Sequence, residues 1–191
     1  MPDIFDVWMS ILARVPKSFL WLYSPRDEIT ENLKREAEQR GINAGRLKFA
    51  PFAPQEEHLA RYHACDLFLD TPIYTGHTTA SDALWNGCPL VTIMGNAFPA
   101  RVGASILRAA GFPELVTSSY ADYEDLAVRI GLDDELRCGL RKRIEAVRDT
   151  CALFDTPRFT RHLEWAYEHM WDEYVAGRVP QAFEVPSLPR L

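Results

Sequence analysis

The chain has 191 residues, 47% of them hydrophobic and 25% charged, enough to bury one substantial core. Its net charge of -6 and pI near 5.4 argue against a broad affinity for nucleic-acid backbones or anionic membranes. No stretch approaches the ~20 apolar residues of a membrane span, and Met1-Pro2-Asp3 places no basic region before an apolar one, so a cytoplasmic protein with no nucleic-acid or membrane partner is expected.

Phe5, Trp8, Met9, Ile11, Leu12 and Val15 recur at helical spacing, and Pro16 closes that helix. Residues 18–23 read as a buried strand, Asp27–Gln39 as a charged amphipathic helix ending at Gly41, and residues 46–50 as a second strand. This completes one β-α-β unit. A helix over 56–64, a strand over 66–70, a helix over 78–86 and a strand over 89–94 add two more units without a linker. Helical patterns follow over 100–110 and 122–130, with a brief strand over 114–117. From Asp133 onward the pattern changes to two long helices, 133–150 and Thr156–Val175, separated around Phe154-Asp155-Thr156-Pro157. The alternation predicts an α/β fold, a Rossmann-like parallel sheet flanked by helices, with long C-terminal helices. Residues 1–176 form that lobe, and 177–191, carrying Pro180, Pro186 and Pro189, are expected to be an extended or disordered tail. No internal repeat is present.

In open parallel sheets the ligand crevice lies beyond the carboxyl ends of the strands. The segment from Asp70 to Asp82 leaves such an end and enters a helix through Gly76, His77, Thr78 and Thr79. A helix start of this kind presents unpaired backbone N–H groups and the positive end of a dipole, which suits a phosphate. Asp82, one turn further on, is placed to accept hydrogen bonds from a sugar diol. Thr78 and Thr79 serve equally well as ordinary helix caps, so the motif alone leaves both readings open. Ala50-Pro51-Phe52-Ala53-Pro54 is a proline-set loop whose backbone can read the edge of a flat base, with His58 following as a stacking partner. The alternative is that Glu56 and Glu57 only complement the helix N-terminus while His58 lies at the surface.

Other residues fit simpler roles. Cys65, Cys88, Cys138 and Cys151 lack any C-x-x-C pair and read as core thiols. Asp66 and Asp70 flank a strand, and Asp70 reads as the residue that orders the following turn. Trp8, Trp21 and Trp85 fit core positions, and Trp165 and Trp171 lie on a long amphipathic helix. His63, His162 and His169 have no metal-ligand companions at useful spacing. No G-x-G-x-x-G follows the first strand, which disfavours a dehydrogenase-type domain.

Five segments occur together in order: Pro51 to His58, Cys65 to Pro72, Gly76 to Thr79, Asp82 to Thr92, and Arg101 to Ser105. They resemble the C-terminal catalytic lobe of O-linked N-acetylglucosamine transferases, nearest the bacterial members related to plant SPINDLY proteins, over about residues 5–174. The resemblance implies a GT-B fold and inverting transfer of N-acetylglucosamine from UDP-GlcNAc to Ser or Thr of acceptor proteins. It implies that the backbone of Ala53 and Gln55 reads the uracil edge and His58 stacks on the ring. The amides of His77, Thr78 and Thr79 would hold the diphosphate, and Asp82 the ribose. It implies no metal and no cofactor, and assigns no catalytic residue to this lobe.

Gln55 stands where the family motif often has lysine. The family's diphosphate-contacting lysine and its N-terminal lobe fall outside these residues, so this chain alone is expected to bind a nucleotide and transfer little or nothing. Trp165, Tyr167 and Met170 are expected near an exposed edge that self-associates or seeks a partner. Two other readings stay open: a GDP-fucose donor lobe, as in SPINDLY fucosyltransferases, and a non-catalytic interaction module retaining the fold.

Overall fold

A computed structural model describes residues 2–188. The first helix, α1 (Pro2–Arg14), carries apolar residues on two adjacent faces and so belongs to two cores. Ile4 and Ile11 point into one, and Phe5, Met9 and Leu12 into the other, while Trp8 packs against both. The smaller core lies against β1 (Leu20–Tyr23), α2 (Asp27–Gln39) and β2 (Leu47–Ala50), with β1 and β2 parallel and Leu20 opposite Leu47. Strand β1 has apolar cover on one face only. The strand expected to be buried over 18–23 is therefore half-exposed: Phe19 is 54% and Tyr23 60% accessible.

The larger core surrounds a second parallel ladder of β3 (Phe68–Leu69), β4 (Leu90–Ile93) and β5 (Val116–Thr117), in the order β3-β4-β5. Before, between and after these strands run α3 (Gln55–Arg61), α4 (Thr78–Trp85), α5 (Val102–Ala110), α6 (Tyr120–Leu132), α7 (Asp134–Val147) and α8 (Thr156–Val175). The fold is α/β, with parallel strands flanked by helices. The sheet is divided, since β1-β2 and β3-β4-β5 are separate ladders joined by side chains, Leu69 packing against both cores. Central β4 has Leu90, Val91 and Thr92 fully buried. Each apolar side chain so enclosed contributes roughly 1.5–3 kcal/mol relative to exposure, and Thr92 needs an internal hydrogen-bond partner.

Helix starts follow their sequence signals. Ser119 accepts from Asp122 N–H, Asp133 from Leu136 N–H and Asp155 from Arg158 N–H, one residue before α6, α7 and α8 respectively. Strand β3 is shorter than the 66–70 expected, because Asp66 pairs with Arg137 at 3.3 Å and Asp70 already belongs to the next turn.

Two expectations about the core are corrected. Only Cys88 is buried, whereas Cys65 and Cys151 are partly exposed and Cys138 is exposed on α7. Trp85 ends α4 as a 45% accessible residue, its ring edge-on to Phe154 and beneath the Arg148 guanidinium.

The tail beyond Gly177 forms no helix or strand over 178–188, yet it runs back along α8. Phe183 meets His169 and Trp165, and Leu188 N–H donates to His162 Nε2 at 3.0 Å. Residues 189–191, including Pro189, lie outside the described residues. Among the described residues, no helix is long and apolar enough to cross a membrane.

Candidate functional site

The turn between β3 and α4 is fixed from beneath by a buried carboxylate. Asp70, 1% accessible, accepts at Oδ1 from Thr71 N–H (2.9 Å) and Gly76 N–H (2.6 Å), and at Oδ2 from the Thr92 hydroxyl (2.7 Å). Its backbone carbonyl accepts from the Tyr123 hydroxyl at 3.0 Å. Burial raises the Asp70 carboxyl above its ordinary value, while the Thr92, Gly76 and Thr71 hydrogen bonds pull the other way.

The far side of the turn is tied to α5. Buried Thr75 donates to the Pro99 carbonyl through both N–H (3.0 Å) and hydroxyl (2.7 Å), and its hydroxyl oxygen accepts from Gly103 N–H at 3.0 Å. Gly103 has no side chain because none fits: a Cβ there would overlap Asp70 Oδ2 and meet Thr92 Oγ1 at 2.9 Å. Between these anchors Ile73 adopts φ +73°, a conformation costly for a β-branched residue.

The turn delivers the chain into α4 with free donors. His77 caps the helix without a side-chain hydrogen bond, and the first intrahelical contact is Ser81 N–H to the His77 carbonyl. The N–H groups of Thr78, Thr79 and Ala80 are thus left by helix geometry to an external acceptor. Thr78 and Thr79 are exposed, while the His77 ring stacks on Tyr74 at 4.9 Å with Phe98 edge-on at 6.2 Å. His77 Nε2 is enclosed and has no hydrogen-bond partner among the described residues. Tyr74, His77, Thr78 and Thr79 are among the residues that line an open cleft of about 370 Å³ running from Phe68 to Thr79.

Asp82 and His58 do not line that cleft but are brought together beside it. Tyr62, one turn after His58, is buried against Ala83 and Cys88, which docks the end of α3 on α4. Its hydroxyl lies 3.4 Å from His58 Nε2, and the two rings meet edge-on at 5.3 Å. Burial raises the Tyr62 phenol well above its ordinary value, and the nearby Asp82 carboxylate raises it further. The structure thereby groups His58, Tyr62 and Asp82. Tyr62 was absent from the sequence-derived set, although its i, i+4 spacing from His58 is the signal for such a pair.

The loop from β2 to α3 is held by Arg61, which donates to the Pro51 carbonyl at 3.0 Å. Ala53 packs inward, and Gln55, the first residue of α3, is exposed. Among the described residues, no group of three or more His, Cys, Asp or Glu side chains could hold a metal ion.

Comparison with known proteins decides the family. The model of glycosyl transferase family 41 matches residues 1–163. The chain belongs to glycosyl transferase family 41. A UDP-N-acetylglucosamine--peptide N-acetylglucosaminyltransferase of Caenorhabditis elegans is 36% identical over 176 residues, covering 92% of this chain and 15% of the relative. The probable enzyme SEC of Arabidopsis thaliana is 36% identical over 185 residues, 96% of this chain and 19% of the relative. A solved structure, the K341M mutant of Thermobaculum terrenum O-GlcNAc transferase, aligns with TM-score 0.85 and 34% identity. It covers 90% of this chain and 34% of that one. This family 41 chain therefore spans about a fifth of the length, or less, of the curated relatives it matches, and its α/β lobe is shared with about a third of the solved enzyme.

Proposed function

We propose that this family 41 chain is the donor-binding lobe of a protein O-GlcNAc transferase. In this reading it holds UDP-N-acetylglucosamine for inverting transfer to Ser or Thr hydroxyls of an acceptor protein. The observation that carries it is the start of α4, where donors left open at Thr78 and Thr79 sit over a turn fastened by Asp70 and Thr75. Those donors, with the His77 amide, take the diphosphate and stabilise the charge that develops on the departing UDP. Asp82 binds the ribose hydroxyls, His58 stacks on uracil, and the backbone of Ala53 and Gln55 reads its edge.

The helix start meets the diphosphate charge without a metal or cofactor in this scheme. The relatives, named as UDP-N-acetylglucosamine--peptide N-acetylglucosaminyltransferases, support UDP-GlcNAc as donor and a peptide as acceptor. Four free thiols suit a reducing compartment such as the cytoplasm. The exposed face of α8, with Tyr167, Met170, Trp171 and Tyr174, supports packing against a further protein surface, self-association included.

Titration calorimetry with UDP, GDP and UDP-N-acetylglucosamine tests the reading, with Asp82→Ala as control. Selective binding of the two uridine ligands, abolished in the variant and unchanged by EDTA, is expected. GDP preference, or no binding to any nucleotide, would sink it.

A further inference from the structure

The Asp70 carboxylate has no free edge to meet a ligand, yet it makes the shortest hydrogen bond in the turn, to Gly76 N–H at 2.6 Å. Two residues later the chain enters α4. The geometry points to Asp70 as the positioning residue for the anion-binding amides: it sets the peptide planes of Gly76 and His77 so that the α4 donors converge before a ligand arrives. This role rests on the diphosphate reading proposed above.

Three features carry it. Asp70 ties both ends of the turn, accepting from Thr71 N–H at its start and Gly76 N–H at its end. Its second oxygen is fastened to Thr92 on β4, the most enclosed strand, so the carboxylate takes its position from the core rather than from the loop. Charge-assisted bonds of this kind are about twice as strong as neutral ones, and here they hold a segment that includes the unfavourable backbone of Ile73. Gly103 completes the arrangement, because α5 approaches the carboxylate too closely for any side chain at that position. Without this clamp only the Thr71 hydroxyl on the Tyr74 carbonyl and the Thr75 ties remain to hold Ile73 at positive φ, and the amides beyond it lose their alignment.

Inorganic pyrophosphate is the probe, since it engages the amides without base or ribose. Its affinity is measured by calorimetry on the full chain and on Asp70→Ala, Asp70→Asn and Thr92→Val, with a melting curve for each. The Gly76 amide proton is followed by NMR. Asp70→Ala is expected to weaken pyrophosphate about tenfold in protein that still melts cooperatively. Asp70→Asn, which keeps an acceptor oxygen, is expected to recover binding to within about threefold, with the Gly76 proton moving upfield. Thr92→Val is expected to shift the same resonance and weaken binding about threefold.

Wild-type affinity in Asp70→Ala with a lowered melting temperature would make Asp70 a stability residue and overturn the proposal. If Asp70→Ala does not fold, an unmoved Gly76 resonance and unchanged affinity in Thr92→Val overturn it equally. Failure of the wild-type chain to bind pyrophosphate is a separate result: it removes the diphosphate site itself, and this role with it.

Discussion

The phenol oxygen of Tyr62 lies 3.4 Å from Nε2 of His58, one helical turn earlier, with Asp82 acting on the same phenol from α4. His58 and Asp82, the residues proposed for base and ribose, thus share one buried tyrosine as reference point. Tyr62→Phe keeps the ring packing and removes the hydroxyl, so its effect falls on the orientation of His58. A loss of ~0.5–1 kcal/mol in UDP binding is expected, about two- to fivefold, with pyrophosphate affinity unchanged. An equal loss for both ligands would show a general disturbance of α4 instead.

Gly103→Ala forces a methyl group onto Asp70 Oδ2 and Thr92 Oγ1, neither of which has space to withdraw. Destabilisation of ~1–3 kcal/mol is expected by chemical denaturation, in the range of overpacked cores. Alanine is a better helix former than glycine, so an unchanged or raised midpoint would mean that the close approach is easily relieved.

Asp70 also gives stability a defined pH dependence. Burial raises its carboxyl above the ordinary 3.8, so the folded chain holds this proton more firmly than the unfolded one. The stability it contributes is complete in acid below the ordinary value and falls as pH rises through the raised one. The unfolding free energy of the wild type minus that of Asp70→Asn is expected to decline over that interval and then level off. A difference that rises with pH would mean that hydrogen bonding outweighs burial.

The thiols divide by environment. Cys138 is exposed on α7, whereas Cys88 is fully buried, with burial pushing its thiol up to about 12. Iodoacetamide at pH 8 is expected to label Cys138 first and to leave Cys88 intact until the chain unfolds. Peptide mass mapping over time reads the order directly, and early loss of Cys88 would contradict the packing around Tyr62 and Ala83.

What was legible in the chain was what periodicity and local chemistry encode. The helices Asp27–Gln39 and Thr156–Val175 lie where the sequence puts them, because strong amphipathic runs end at recognisable stops. The turn-ordering role of Asp70 was readable from its place after a strand. The division of the sheet into two ladders was not, because it depends on Leu69 and Trp8 filling a junction that pairing would otherwise close. Nor were the partners of Asp70 readable: Thr92 lies 22 residues away and Tyr123 53, and no local pattern announces such contacts. Trp85 and Cys138 read as core by residue type alone, and only the packing of α4 and α7 decides otherwise.

The cradle has two layers with opposite freedoms. Its inner layer, Asp70, Thr75, Thr92 and Gly103, is buried, while Ile73, Tyr74 and Phe98 stand 65%, 65% and 77% accessible at the rim. Mutational drift is therefore steered outward. If the turn takes a phosphate as proposed, exchanging rim side chains reshapes what lies over it and, at Tyr74 and Phe98, changes the rings packed on His77, so a library randomised at the three rim positions would sample new ligand preferences over the same inner layer.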